Sequence, residues 1–422
     1  MTTLRADVAI AGAGLAGLGL ALDLAQRGRR VILLERRRQP GGAVFSLPGA
    51  DGADNSIHLF LAAFTRCRAR LAQLGSRPLR ELDDTCHVAL DGHRFRLPLG
   101  AGRLPTLAGL VRLRHPLGSG LELATGLARL GISRPRPGET AGAWLERRGL
   151  PRRRLAGLFW REWGLSVFNA PLELVDAGLF RRTLLSLFRD PRSHRPLLAD
   201  CPLVDLWVKP FEQALERAGV RLLTGTALHG VARDAGGIRA LLAEGLRVEA
   251  PQVVWAGPPE GLAQVEGLAD CRPALPPRRE GRHIVNLRLP CVPGLRLDRL
   301  TGWFGQPFQW VFAGGDGWLT LVGSGWTDAD LAQRAELLPR LPGWLAAHGL
   351  TAGGPPRWIV QRHATALQSP DFEAARPPAR PLDQAAPGNL YFCGAWLDTG
   401  LPLSMESALA SAELTLQALQ FD

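Results

Sequence analysis

The sequence predicts an α/β fold of two interleaved domains, one built on buried parallel strands and one of α+β character. Three observations carry this expectation. The apolar run Val8-Ala9-Ile10-Ala11 passes directly into Gly12-Ala13-Gly14-Leu15-Ala16-Gly17 and then into a helix-spaced stretch. A second apolar run, Val31-Ile32-Leu33-Leu34, ends in Glu35. Far downstream, residues 389–394 again read as a strand ending in glycine, and a last helix opens at Ser404. At 422 residues the chain is long for one domain and comfortable for two.

Bulk composition narrows the classes. Hydrophobic residues make up 46%, which fits a packed globular chain rather than a disordered one. The formal charge is +11, and Lys209 is the only lysine, so arginine carries nearly all of it. No nucleic-acid reader motif accompanies that charge, and nucleic acid is not an expected partner. A positive surface does suit anionic lipid headgroups, where each nearby basic residue contributes about 1 kcal/mol, so peripheral contact with an anionic membrane surface is expected. The six cysteines (Cys67, Cys86, Cys201, Cys271, Cys291 and Cys393) form no CxxC pair and have no histidines at metal spacing. Neither a metal site nor a disulfide framework is expected. The first apolar stretch is broken by glycines, Asp7 and Asp23, so it is no membrane span, and without a signal peptide ahead of it a cytoplasmic location is expected.

The opening unit has a mechanical reading. Gly12 permits a tight turn, Gly14 lets a pyrophosphate approach the backbone, and Gly17 allows close helix–strand packing. Leu15 and Ala16 begin a helix whose free N–H groups and partial positive charge suit phosphate, and Gly28 stops it. Glu35 sits about twenty residues on, where a carboxylate accepts ribose hydroxyls. This is a Rossmann-type dinucleotide site. Arg36-Arg37-Arg38 and then Gln39-Pro40-Gly41-Gly42 follow it directly. That continuation resembles the extended FAD motif of the amine oxidase and phytoene desaturase superfamily, whose glycine pair lies near the cofactor's phosphates and ribityl chain. The resemblance implies FAD, with Arg36, Gly41 and Gly42 beside it. The superfamily usually places arginine after the glycine pair; Ala43 stands here.

Further along, Asp54-Asn55-Ser56-Ile57-His58-Leu59 resembles the segment that returns the chain toward the flavin, and makes His58 a candidate for binding or catalysis. Residues 80–200 read as largely helical. Within them Leu155, Leu158, Phe159, Trp160, Trp163, Leu165 and Phe168 form an apolar, aromatic stretch that is either core or substrate wall. Twelve tryptophans against the single Tyr391 suit bulky apolar walls with few hydroxyls. Residues 211–223 read as helix–turn–strand, and Leu228 and Val231 fall where related flavoproteins continue that strand and touch the adenine. Val253-Val254-Trp255-Ala256-Gly257-Pro258-Pro259 resembles the superfamily signature at which the chain passes back to its second domain. Residues 284–289 and 310–312 read as strands of that domain, the latter followed by a Gly-Gly-Asp-Gly turn.

The closing stretch, residues 389–409, resembles the strand–Gly-Asp-Trp-Thr-Asp-Thr-Gly-Leu-Pro–helix element of squalene-associated desaturases. The resemblance spans nearly the full chain. It implies that Gly394, Asp398, Leu403, Ser404 and Met405 adjoin the flavin, and that the helix dipole stabilises negative charge there by about 0.3–1 kcal/mol. The aspartate that holds a ribityl hydroxyl in the family is Ala395 here. An FAD-binding domain assembled from residues 1–75, 206–275 and 381–422 is thus expected, with a substrate domain from 76–205 (largely helical) and 276–380 (sheet).

The implied activity is FAD-dependent reduction of a long apolar isoprenoid, with loss of the hydroxyl from hydroxysqualene as first reading. That chemistry needs an acid for the departing hydroxyl, and Glu406, Asp398 and His58 are the candidates. A carotenoid-type desaturase, an amine oxidase, and a lipid-binding protein that has lost flavin stay open as alternatives. Against an amine oxidase, residues 282–289 hold no lysine.

Overall fold

The computed structural model describes residues 1–47, 53–90, 93–98, 119–152, 154–187, 192–276, 282–314, 316–365, 368–381, 386–419 and 421. Three distant stretches of chain build one five-stranded parallel sheet. Its order is Leu390–Phe392, Gln252–Trp255, Val8–Ala11, Val31–Leu34, Arg221–Leu223. Register is tight: Val8 pairs with Val31 on one side and with Gln252 on the other. The continuous apolar runs are explained by burial on both faces. Val8, Ile10, Val31 and Leu33 point into a core shared with the helices Leu15–Gln26, Thr65–Leu74, Lys209–Arg217 and Met405–Ala418. Ala9, Ala11, Ile32 and Leu34 point to the opposite face, where Ile238, Leu241 and Val248 meet them.

Those last residues belong to a four-stranded sheet of order Thr2–Arg5, Leu246–Glu249, Gly237–Ala243, Leu228–Asp234. This corrects the expectation that Leu228 and Val231 continue the strand at 221–223. The chain leaves the parallel sheet after Leu223, turning as Gly225 N–H donates to the Arg37 carbonyl and Thr226 N–H to that of Glu35. It then enters a separate sheet.

A seven-stranded sheet forms the second layer system, in the order Arg357–Thr365, Arg282–Pro290, Trp318–Trp326, Trp310–Ala313, Arg299–Trp303, Asp83–Leu90, His93–Pro98. The strands expected at 284–289 and 310–312 lie here. Within residues 76–205 the strands Asp83–Leu90 and His93–Pro98 precede the helices and pair antiparallel. The sequence held a signal for this pairing: the dipeptide Asp91-Gly92 is of the kind that favours two-residue hairpin connections, and Leu90 pairs with His93. Among the described residues the helices Ser119–Ile132, Ala141–Arg147, Arg154–Phe168 and Ala177–Leu187 follow. Trp144, Trp160, Phe168 and Phe180 pack them together and onto Leu300, Phe312 and Val322 of the sheet and onto Phe304 beside it. The side chains of Cys86 and Leu155, and Gly315 of the Gly-Gly-Asp-Gly turn, lie outside the described residues.

Candidate active site

One cavity of about 1400 Å³ runs from the glycine-rich turn to the helices of the second layer system. That exceeds the roughly 300–1,000 Å³ of an ordinary single-ligand pocket, so two large groups can share it.

The turn that opens the cavity is shaped by two glycines of different kinds. Gly12 has φ +113, and a Cβ there would lie 2.7 Å from the Ala256 carbonyl carbon, so only glycine fits between the strands. A Cβ at Gly17 would lie 2.0 Å from the Gly12 carbonyl oxygen; this residue sits behind the turn, outside the cavity wall, in a packing role. Gly14 differs. A Cβ there would meet only the Gly42 Cα, at 3.8 Å, so its backbone faces open space at the helix N-terminus. Leu15, Ala16, Gly41, Gly42, Glu35 and Arg36 line the same end. Gly41 N–H donates to the Ala13 carbonyl at 2.7 Å, which seats the glycine pair on the turn. Glu35 is buried, with Oε2 accepting from Ala13 N–H at 2.8 Å and Oε1 from Arg37 N–H at 2.9 Å. Each oxygen keeps a lone pair for a further donor. Leu228 lines the cavity here, and Val231 does not.

The closing segment supplies Gly394, Ala395, Leu403, Ser404, Met405 and Glu406 to the wall. Ser404 caps the last helix, its side chain accepting from Ser407 N–H at 3.2 Å. The loop between strand and helix is tied down by a residue the sequence reading missed. Arg376, whose guanidinium is buried, donates to the carbonyls of Ala395 at 2.9 Å, Leu397 at 2.8 Å and Leu401 at 2.9 Å. It also pairs with Glu373 at 3.1 Å. Ser407 Oγ adds a second donor to the Ala395 carbonyl, and Gln368 Oε1 accepts from Leu403 N–H. An arginine 19 residues from the loop it holds leaves no local motif.

Three acid candidates sort differently. Asp398 is exposed, accepts from Gly400 N–H within its own turn, and lies away from the cavity wall that the other two candidates line. Glu406 lines the cavity but is committed. Its carboxylate accepts from Arg66 N–H at 3.0 Å and Cys67 N–H at 2.9 Å, capping the helix Thr65–Leu74, with the Arg66 guanidinium 3.7 Å away. These contacts tie the carboxylate to a helix N-terminus and give it a structural role there. His58 also lines the cavity, and burial lowers its pKa to about 4, so the ring is neutral near pH 7 and is no acid.

The far end is apolar. Phe159, Trp163 and Val167 of the helix Arg154–Phe168 form wall, whereas Trp160 and Phe168 of the same helix are core, so the aromatic stretch serves both roles. Three hydroxyls of this wall donate to backbone carbonyls: Ser166 to Glu162 at 2.6 Å, Thr183 to Leu179 at 2.8 Å and Ser186 to Thr183 at 2.7 Å. Tyr391, the single tyrosine, is buried in the core beneath the parallel sheet. Among the described residues no group of three or more His, Cys, Asp or Glu could hold a metal, and no helix is long and apolar enough to cross a membrane.

A backbone left open at a helix N-terminus, beside a buried carboxylate and a seated glycine pair, fits a flavin dinucleotide. The FAD dependent oxidoreductase family (DAO) matches residues 7–154. A hydroxysqualene dehydroxylase of Rhodopseudomonas palustris is 30% identical, over 97% of this chain and 98% of that one. One of Sinorhizobium fredii is 28% identical over 96% of both. Among solved structures, an oxidoreductase of Methanosarcina mazei superposes with a TM-score of 0.73 at 12% identity, covering 98% of this chain and 100% of the other. FAD is thus the cofactor, and the chain belongs to the hydroxysqualene dehydroxylase family of FAD-dependent oxidoreductases.

Proposed function

We propose that the protein removes the hydroxyl group of hydroxysqualene reductively, giving squalene and water. The observation that carries this is a cavity joining the glycine-rich turn to a long apolar wall in which Ser166, Thr183 and Ser186 donate their protons to backbone carbonyls. The overall change adds two electrons and two protons to the alcohol: a C–O bond breaks, a C–H bond forms and the oxygen leaves as water. Reduced FAD, when bound, would supply both electrons and both hydrogens, one as hydride to carbon and one as the proton that leaves with the oxygen.

The chain's own residues would bind the cofactor and exclude water. Gly12, Gly14, Leu15, Ala16, Glu35, Arg36, Gly41 and Gly42 would hold the dinucleotide end, with Leu228 beside it, and Gly394, Leu403, Ser404 and Met405 would hold the ring end. Phe159, Trp163 and Val167 exclude water from a carbon that carries positive character as its oxygen departs. Residues 1–75, 206–275 and 381–422 act as the cofactor-binding unit, and 76–205 and 276–380 as the substrate unit. The arginine-rich surface supports peripheral contact with anionic lipid, from which so apolar a substrate is delivered.

Anaerobic single turnover tests the reading. Reduced holoprotein mixed with hydroxysqualene is expected to regain oxidised-flavin absorbance as squalene forms. Oxidised protein that bleaches on a saturated polyprene, with no squalene from the alcohol, would instead make it a desaturase.

A further inference from the structure

We propose that His58 is the hydroxyl-recognising residue of the cavity, fixed in one tautomer by Asn55 so that Nδ1 accepts a hydrogen bond from the substrate alcohol. This deepens the dehydroxylase reading and rests on it. The argument begins with an amide whose orientation is decided by its neighbours. Asn55 is buried, and its Nδ2 donates to the Ala43 carbonyl at 3.0 Å. A carbonyl only accepts, so the amide oxygen must face the other way, toward His58 Nε2 at 3.2 Å. An amide oxygen also only accepts. The proton of the imidazole therefore sits on Nε2, and Nδ1 carries the lone pair.

The ring is held firmly in this state. Asn286, buried on the strand Arg282–Pro290, donates from Nδ2 to the Asn55 carbonyl at 3.4 Å. Its Oδ1 accepts from Ser56 Oγ at 3.2 Å and Ile57 N–H at 3.3 Å. The segment 55–58 is thus pinned between the glycine-pair loop, through Ala43, and the seven-stranded sheet, through Asn286. His58 forms part of the cavity wall. Burial keeps the ring uncharged, with a pKa of about 4, so the tautomer and its acceptor persist from pH 5 to 9.

An acceptor in an apolar wall discriminates in a definite direction. An alcohol donates to Nδ1 and satisfies it. A hydrocarbon of the same shape leaves Nδ1 desolvated and unpaired, which weakens its binding. The same group that selects the substrate alcohol therefore disfavours retention of the squalene product.

The test measures equilibrium binding of hydroxysqualene and of squalene to oxidised, FAD-loaded protein without reductant, followed by quenching of tryptophan fluorescence. Wild type is expected to bind the alcohol about tenfold more tightly than the hydrocarbon. In H58L the alcohol loses affinity while squalene gains it, so the ratio falls to about one or below. H58Q, which retains an amide acceptor, restores part of the preference, and H58F serves in place of H58L if leucine does not fold. Equal weakening of both ligands, or an unchanged ratio, would overturn the proposal and mark His58 as purely structural. Wild type that dehydroxylates the alcohol while H58L keeps the ratio sinks this proposal alone. Wild type that neither binds nor reduces hydroxysqualene sinks the functional reading with it.

Discussion

Replacing Asp54 by asparagine should stabilise the protein at neutral pH and leave it unchanged in acid. Asp54 lies just before the His58 segment, and its Oδ1 accepts from Ser46 Oγ at 2.6 Å and Leu203 N–H at 2.9 Å. Burial raises its pKa from 3.8 to about 6, against the lowering effect of those two hydrogen bonds and of Arg288, and Asp205 adds to the rise. The folded protein therefore binds this proton more tightly than the unfolded chain does. Below pH 4 both states are protonated and the group is neutral to stability. As pH rises from 4 to 6 the unfolded chain ionises first, and stability falls. A gap of about two pH units at ~1.4 kcal/mol each gives a penalty of about 3 kcal/mol above pH 6. An asparagine Oδ1 can accept both existing hydrogen bonds without the charge, so D54N is expected to gain about 1–3 kcal/mol at pH 8 and nothing at pH 3.5. Urea unfolding of both proteins across pH 3.5–8 measures the difference, in which titrating groups not coupled to position 54 cancel. A D54N effect of equal size at both ends, or destabilisation at pH 8, would show that the buried carboxylate carries no such penalty.

Three further outcomes follow from the geometry. G14A should fold with an unchanged melting temperature but bind FAD at least tenfold more weakly, whereas G12A and G17A should lose about 3 kcal/mol or more of apoprotein stability; flavin-fluorescence titration and thermal melts separate the two classes. E406Q retains one acceptor for the helix Thr65–Leu74 but turns an amide N–H₂ toward the other N–H, at a cost of about 2–3 kcal/mol. For a melting unit of about 200 residues this is a fall of about 5–7 °C, and lost turnover with an unshifted melt would return Glu406 to the acid candidates. A395D places a carboxylate in the cavity wall, where tighter FAD binding by about tenfold is expected from equilibrium dialysis; weaker binding would mean that no hydroxyl donor lies within its reach.

What could be read in the sequence was whatever short-range sterics and periodicity decide. Gly12 and Gly17 sit where strand and helix backbones nearly touch, so their identity is forced locally and visible in a six-residue window. The doubly buried strands were equally legible, because a parallel strand covered on both faces has no polar alternation to hide it. The hairpin at 83–98 was overlooked although Asp91-Gly92 marked it, since the surrounding leucines and arginines suited a helix as well. Asp398 was misplaced for a different reason. Motif position fixed its place along the chain, but which way a loop side chain points depends on what holds the loop, and that is Arg376 from another segment. The roles of Glu406 and Asn55 were equally hidden, because the groups that commit them lie 340 and 12 residues away.

The two alanines that depart from the family pattern bear on whether the cofactor site survives. Loss of a side-chain contact matters most where that side chain also shapes the loop. At position 395 it does not: the Ala395 carbonyl is fixed by both Arg376 and Ser407, and the following turn is fixed by Arg376 through Leu397 and Leu401. The wall keeps its form with a methyl group in place of a carboxylate. At position 43 the missing guanidinium has a neighbour already in the cavity wall, because Arg37 reaches the Gly42 carbonyl at 3.1 Å and brings its charge to the glycine pair. Both departures thus remove individual side-chain contacts and leave intact the backbone N–H groups, the open face of Gly14 and the Glu35 carboxylate. Because most phosphate recognition at such a turn comes from backbone and helix terminus, affinity falls by a factor and the site persists. The A395D titration reads that factor directly.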